Sequence, residues 1–153
     1  MTEDLKIKEA LMASCEHFVE DRLATIQATI NDIQTALTSE TKSSAGDKHE
    51  TGRAMLQLER EKAGNQMAEV QKIKEILSKI DIYKTMVKIG VGSVVYTSEL
   101  NYFIGISAGK VHVANEPFYA VSASTPMGKL LMAHQVGDFI QFRNQNFKII
   151  KVI

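Results

Sequence analysis

The sequence is poor in cysteine, proline and tryptophan, and these absences narrow the class of protein. It has no Trp, two Pro and one Cys in 153 residues. The single Cys15 excludes an internal disulfide and any zinc site built from several cysteines, and its apolar helical surroundings predict a buried structural thiol. No apolar run approaches the roughly 18 residues of a membrane span. Because the first residues also lack the basic and apolar regions of a secretory signal, we expect a cytoplasmic protein without membrane contact.

Signatures of common enzymes are also missing from the sequence. There is no Walker motif, no Gly-x-Ser-x-Gly and no His-Glu-x-x-His. Gly90-x-Gly92 lacks the third glycine of a dinucleotide fingerprint. The four histidines are scattered without the spacing of metal ligands. The sequence alone therefore indicates no catalytic centre and no cofactor of the chain's own.

Charge is distributed unevenly along the chain. Residues 1–81 carry 11 Lys and Arg against 15 Asp and Glu, a net charge of −4. Residues 82–153 carry 7 against 3, a net charge of +4. An acidic half argues against wrapping of nucleic acid by the whole chain, whereas the basic half can approach nucleic acid or an acidic protein surface.

The first half has the pattern of two long helices. Residues 5–37 contain no Gly or Pro, and their apolar positions alternate spacings of four and three, as in a coiled-coil seam: Val19, Leu23, Ile26, Ile30, Ile33, Leu37. Residues 38–47, rich in Ser and Thr, predict a loop, in which Asp47 has capping-box spacing to Glu50. Residues 50–82 predict a second helix, with an apolar stripe that includes Met55 and Ala63. Pairing of the stripes predicts an antiparallel hairpin about 45–50 Å long, and a monomer.

The second half has the pattern of a small β-rich domain. Short runs rich in Val, Ile, Tyr and Phe predict a largely antiparallel sheet, with strands at 93–97, 102–106, 111–113, 139–142 and 147–152. Residues 126–134 predict one short helix with Pro126 in its first turn. The predicted fold class is therefore α+β, with a coiled-coil hairpin over residues 1–82 followed by a compact domain over residues 90–153.

Two stretches resemble the Gre family of transcription elongation factors, of the GreA and GreB type. The run Ser124-Thr125-Pro126-Met127-Gly128-Lys129-Leu130-Leu131, then Val136-Gly137-Asp138 and the closing residues 147–153, resembles the family's C-terminal, FKBP-like β domain. Gly46-Asp47-Lys48-His49-Glu50 resembles the Gly-Asp-x-x-Glu motif at the tip of the family's hairpin. There are two departures: the family usually continues with Asn-Ala-Glu-Tyr, where this chain has Thr51-Gly52-Arg53-Ala54, and the family usually has Ser before the proline, where this chain has Thr125.

The resemblance implies a bacterial transcription factor that binds RNA polymerase. In that family the hairpin enters the polymerase's secondary channel, where tip carboxylates help hold Mg²⁺ and a water beside backtracked RNA. The factor is then not an enzyme but stimulates the polymerase's own cleavage of RNA, in contact with nascent RNA and DNA. Asp47 and Glu50 match the residues that share the polymerase's Mg²⁺, since this ion prefers oxygen ligands. Lys48 and Arg53 are expected to contact RNA, and Thr125, Pro126 and Met127 to dock on the polymerase.

Each of these residues also has a purely structural interpretation. Asp47 and Glu50 suit a helix cap and a partner for the helix dipole. Thr125, Pro126 and Met127 suit an N-cap, a first-turn proline and a core methionine. For the whole chain, the departure after Glu50 favours a secondary-channel regulator that does not stimulate cleavage. A prolyl isomerase or peptide-binding module with a coiled-coil arm, and a plain structural coiled coil, are further alternatives.

Overall fold

The computed structural model describes the backbone of residues 2–42 and 46–153, and the side chains of residues 2–39 and 50–153. Two long helices come first and are followed by four strands, a short helix and two more strands. In chain order these are α1 Glu3–Lys42, α2 Gly46–Ser78, β1 Val94–Thr97, β2 Asn101–Gly105, β3 Gly109–Val113, β4 Glu116–Ser122, α3 Pro126–Leu131, β5 Phe139–Phe142 and β6 Gln145–Val152. This order confirms the predicted α+β fold class.

The predicted loop at residues 38–47 is wrong over most of its length. Helix α1 continues to Lys42, and α2 begins at Gly46, so Asp47 lies inside the first turn of α2 rather than capping it. The Thr38 hydroxyl donates to the Gln34 carbonyl at 3.0 Å. A threonine whose hydroxyl donates to a carbonyl of its own helix is compatible with helical structure, although the Ser- and Thr-rich composition of residues 38–47 favours a loop.

Helix α2 also ends earlier than predicted, at Ser78 rather than residue 82. The reason is that Ile80 packs against the sheet region. A Cβ placed on Gly105 would lie 3.2 Å from Ile80 Cδ1, and one on Gly92 would lie 3.1 Å from Ile80 Cγ2. Both glycines therefore leave room for the Ile80 side chain, which packs here instead of continuing the apolar stripe of α2.

The helices form a packed hairpin through the predicted seam of α1. Its buried members are Val19, Ile26, Ile30 and Ile33. Within residues Val19–Lys74, Glu20 of α1 forms an ion pair 3.0 Å long with Lys74 of α2. The pair joins the beginning of the α1 segment to the end of the α2 segment, as antiparallel helices require.

Fewer apolar residues of α2 are buried in the seam than the sequence predicted. Ala63 and Val70 are buried and lie seven residues apart, and Leu56, seven residues before Ala63, is half-buried. Met55 was predicted on the apolar stripe but is 60% exposed. The physical reason is that it lies one residue, about 100° of helix, away from that heptad line.

The sheet, all of it within the described residues, has six strands in the order β3-β4-β2-β1-β6-β5. Neighbours are antiparallel except β2 and β4, which are parallel, with Tyr102 opposite Tyr119. Strand β4 was not predicted from the sequence because Pro117 is its second residue, and proline normally argues against a paired strand. Ile150 is an extra residue in β6, since Tyr96 faces Lys151 while Thr97 faces Ile149.

Both faces of the central strands are buried. On one face the core contains residues of the sheet and α3: Ile89, Val95, Tyr102, Ile104, Leu131, Ile140, Phe147 and Ile149. On the other face Val94, Phe103 and Phe118 are fully buried. There the rings of Tyr96 and Phe118 meet edge to face, with centroids 5.6 Å apart. Burial on both faces explains why these strands read as continuous apolar runs rather than alternating ones.

Contacts group the chain into two compact units. One comprises Met1–Phe18 with Glu75–Ile153, and the other comprises Val19–Lys74. The predicted division into domains at residues 1–82 and 90–153 rests on sequence pattern and stays a prediction. Among the described residues, no helix combines the length and the apolar character needed to cross a membrane.

Candidate functional site

The first candidate site is the beginning of α2, which carries the Gly-Asp-x-x-Glu motif. Positions 47 and 50 are three residues apart in the helix, so they lie on the same side of it. The side chains of Asp47 and Lys48 lie outside the described residues, and so does that of His49. Glu50 is exposed, and Arg53 is half-buried and engaged in a contact. The structure thus gives the backbone position of both predicted acids and the exposure of one.

Two carboxylates at this position can complete a metal site but cannot build one. Where side chains are described, no group of three His, Cys, Asp or Glu residues lies close enough to hold a metal ion. Mg²⁺ usually takes only one or two carboxylates from a protein and fills its other positions with water and phosphate. The donor set of Asp47 and Glu50 therefore fits an ion that is held mainly by another molecule.

One exposed apolar side chain further along α2, Leu58, was not singled out from the sequence. Leu58 is 66% exposed. It lines a groove of about 570 Å³ on the hairpin, with Arg22, Glu61, Lys62, Asn65, Gln66 and Glu69. The signal was present in the sequence, because Leu58 lies two residues, about 200° of helix, from Leu56 on the heptad line and so faces away from the seam.

The second candidate site is the turn that leads into α3. The Thr125 hydroxyl accepts a hydrogen bond from the Gly128 N–H at 3.1 Å and donates one to the Ser122 carbonyl at 2.7 Å. Thr125 is therefore the N-cap of α3, and Pro126 occupies the first turn. The hydroxyl proton of Thr125 is already used inside the turn, which leaves little of this group for a partner.

The other two predicted docking residues differ in exposure. Pro126 is exposed, whereas Met127 is half-buried and packs against the core of the sheet. Gly128, next in the chain, is required here by packing, because a Cβ would collide with the Ser122 carbonyl oxygen. The structure thus supports the structural interpretation of Thr125 and Met127 and leaves Pro126 at the surface.

A cleft of about 320 Å³ lies elsewhere and was also missed from the sequence. It is lined by Thr2, Asp4, Leu5, Lys8, Ile82, Tyr83, Thr85 and Ile153. Lys8 is buried and donates to the Lys84 carbonyl at 3.1 Å. Burial lowers the pKa of Lys8, and the nearby Asp4 and Asp81 oppose that shift. Through its bond to the Lys84 carbonyl, Lys8 joins α1 to the segment that follows α2.

Cys15 fits the interpretation drawn from the sequence. It is a free cysteine, fully buried in α1. Burial, with a smaller contribution from Glu16, raises the pKa of its thiol to about 11. A thiol that stays protonated at neutral pH is a poor nucleophile and a poor metal ligand.

Comparison with known proteins gives little beyond this geometry. No protein-family model and no curated protein matches the chain. A solved structure of the transcription factor Gfh1 aligns with 92% of this chain and 93% of that one, at 22% identity and a TM-score of 0.36. A superposition of that quality does not establish a shared function.

Proposed function

We propose that this protein binds RNA polymerase and inserts the tip of its helical hairpin into the secondary channel, where it stimulates cleavage of backtracked RNA. The observation that carries the proposal is the position of the Gly46-Asp47-x-x-Glu50 motif. It begins α2, four positions after α1 ends at Lys42, so it lies where the chain passes from one helix of the packed antiparallel hairpin to the other. The proposed partner, RNA polymerase, comes from the Gre resemblance of this motif and of residues 124–138.

The dimensions of the helices suit delivery of a side chain into a narrow channel. Helix α1 has 40 residues and α2 has 33. At 1.5 Å per residue these correspond to about 60 and 50 Å. A pair of packed helices is stiffer than a loop of equal reach, so a motif at the beginning of α2 is delivered on a rigid support.

The chemistry assigned to the tip is the completion of a metal site. Mg²⁺ stabilises the attacking and leaving oxygens in hydrolysis of a phosphodiester. In this proposal Asp47 helps hold the ion and Glu50 orients the water, while Lys48 and Arg53 contact RNA phosphate. The protein then has no catalytic centre of its own and acts on the polymerase's reaction.

The test is transcript cleavage on stalled, backtracked complexes of the cognate polymerase. We expect the parent protein to shorten the RNA 3′ end in a Mg²⁺-dependent way. Asp47→Asn and Glu50→Gln should each reduce the cleavage rate at least about tenfold, while their binding to polymerase, measured by competition, is unchanged. Glu59→Gln removes the same charge from an exposed site on the same helix and should cleave like the parent. Equal cleavage by all four proteins would contradict the proposed roles.

A second candidate function is that of a secondary-channel regulator without cleavage activity, and Arg53 favours it. In the Gre pattern the third residue after the tip glutamate is acidic, whereas here it is a cation. A positive charge near a divalent ion weakens that ion's binding. Polymerase binding with no RNA shortening, even by an Arg53→Glu variant, would select this function over the first.

A further inference from the structure

The hairpin of β5 and β6 presents a mixed aromatic and polar face to solvent. Phe139 lies opposite Lys148, and Gln141 lies opposite Asn146. The alternate residues, Ile140 and Phe147, are buried on the other side of the sheet. Phe139, Gln141, Asn146 and Lys148 therefore share one face, here named the outer hairpin face. Phe139 is 72% exposed, so its ring is open to a partner.

The charged residues from β5 to the end of β6 are all of one sign. Residues 139–153 contain three Lys or Arg and no Asp or Glu. The Lys148 ammonium lies 5.8 Å from the centroid of the Phe139 ring, and the Arg143 guanidinium lies 4.9 Å from that of Phe142. Lys151 is paired with Asp4 at 2.8 Å. The ring that Arg143 contacts, Phe142, packs against the core on the other side of the hairpin. Lys148 is thus the cation beside the outer hairpin face, next to the ring of Phe139.

We propose that the outer hairpin face binds single-stranded nucleic acid with little sequence preference. An exposed ring beside a cation offers a stacking surface for a base and a charge for the adjoining phosphate. Gln141 and Asn146 lie one row further along the strands, about 7 Å away, and can donate to or accept from a base edge. This site goes beyond the proposed polymerase function and does not depend on it.

The same features argue against two other occupants. An acidic peptide would use the cation but not the exposed π face or the row of amides. Duplex nucleic acid hides the faces of its bases, and affinity for it comes mainly from neutralised phosphates, of which a single cation can engage few. A single strand is the ligand that uses the ring, the amides and the charge together.

The test is fluorescence anisotropy of the whole protein with a labelled ten-residue oligouridylate at about 50 mM salt. Stacking of one base on an aromatic side chain corresponds to about a 5- to 150-fold change in affinity. We expect Phe139→Ala and Phe139→Leu to weaken binding at least about fivefold, and Lys148→Gln to weaken binding and flatten its salt dependence. Phe139→Leu keeps an apolar side chain in the strand, so its effect separates loss of the ring from loss of folding. Leu100→Ala and Lys110→Gln, exposed positions on other parts of the domain, are the matched controls and should bind like the parent.

Three results would overturn the proposal: no binding by the parent, equal weakening by Lys110→Gln and Lys148→Gln, or binding of a Glu-rich peptide with the same dependence on Phe139. The first leaves no site, the second assigns the effect to overall charge, and the third assigns the face to a protein partner. Because the assay contains no polymerase, its outcome is independent of the transcript-cleavage experiment.

Discussion

The carboxylate of Asp4 accepts a hydrogen bond from the ammonium of Lys151 at 2.8 Å, and so joins the first turn of α1 to β6. The two residues are 147 positions apart in the sequence. The same ammonium lies 5.5 Å from the centroid of the Tyr96 ring, on the neighbouring strand. This contact fixes the beginning of the long helix to the sheet, within one compact unit.

We expect the Asp4–Lys151 pair to contribute a small but measurable coupling free energy. Both side chains are nearly half exposed, at 44% and 48%, so solvent screens their attraction. A double-mutant cycle with Asp4→Asn and Lys151→Met, measured by urea unfolding, should give about 0.5–1 kcal/mol, decreasing at 1 M salt. The more exposed pair of Glu69 and Lys72, within α2, is the control and should give less. A coupling free energy of zero for Asp4 and Lys151 would show that the contact does not stabilise the fold.

Stability should fall at alkaline pH because of Cys15. The thiol pKa is raised by burial from 9.0 to about 11, so the folded protein keeps a proton that the unfolded chain releases. The stabilising contribution is therefore complete below pH 9.0 and is lost as pH rises through about 11, a loss of about 2–3 kcal/mol. Burial also raises the pKa values of Tyr96 and Tyr102, so they add to the fall.

The Cys15→Ala variant isolates the contribution of the thiol. It should be less stable than the parent at pH 7, because it loses buried volume, yet its free energy of unfolding should fall less steeply between pH 9 and pH 11. Equal slopes for the two proteins would show that Cys15 does not titrate as its burial requires.

The sequence predicted those elements whose pattern is local and periodic. The apolar runs of β1, β2, β5 and β6 predicted those strands within one or two residues, and the heptads of α1 predicted its beginning within two residues but its end five residues too early. The prediction was wrong where a tertiary contact determines the structure. Helix α2 ends before Ile80, which packs against Gly92 and Gly105, and β4 contains Pro117 near its beginning.

The candidate sites were predictable to different degrees. The cap at Thr125 could be found from residue type and the proline that follows, since both are local signals. The roles of Asp47 and Glu50 could be inferred only from the Gre resemblance, because an acidic pair at a helix start has no unique chemistry. The exposure of Phe139 could not be predicted, since the register of β5 decides whether Phe139 or Ile140 faces the core.

The same Gly→Ala change should have opposite effects at two positions. At Gly128 a Cβ would collide with the Ser122 carbonyl oxygen, so Gly128→Ala should destabilise by about 3 kcal/mol. At Gly64, inside α2, the nearest atom is the tip of the Arg60 side chain at 3.4 Å, which can move aside. Gly64→Ala should therefore stabilise by about 0.5–1 kcal/mol, through helix propensity. Thermal or urea unfolding of the two variants checks both signs, and destabilisation by both would show that the hairpin needs a glycine at position 64.

Substitutions at Thr125 and Pro126 should separate capping of α3 from docking on a partner. Thr125→Ala removes the bond to the Gly128 N–H and should cost about 1 kcal/mol of stability, whereas Thr125→Ser keeps the hydroxyl and should cost less. Pro126→Ala gives the unfolded chain more freedom and should cost about 0.4–1 kcal/mol. If the turn contacts RNA polymerase as proposed, Pro126→Ala weakens binding in a competition assay more than Thr125→Ala, a variant of similar stability, does. Weakening that instead follows the loss of stability across the three variants would assign this turn to folding alone.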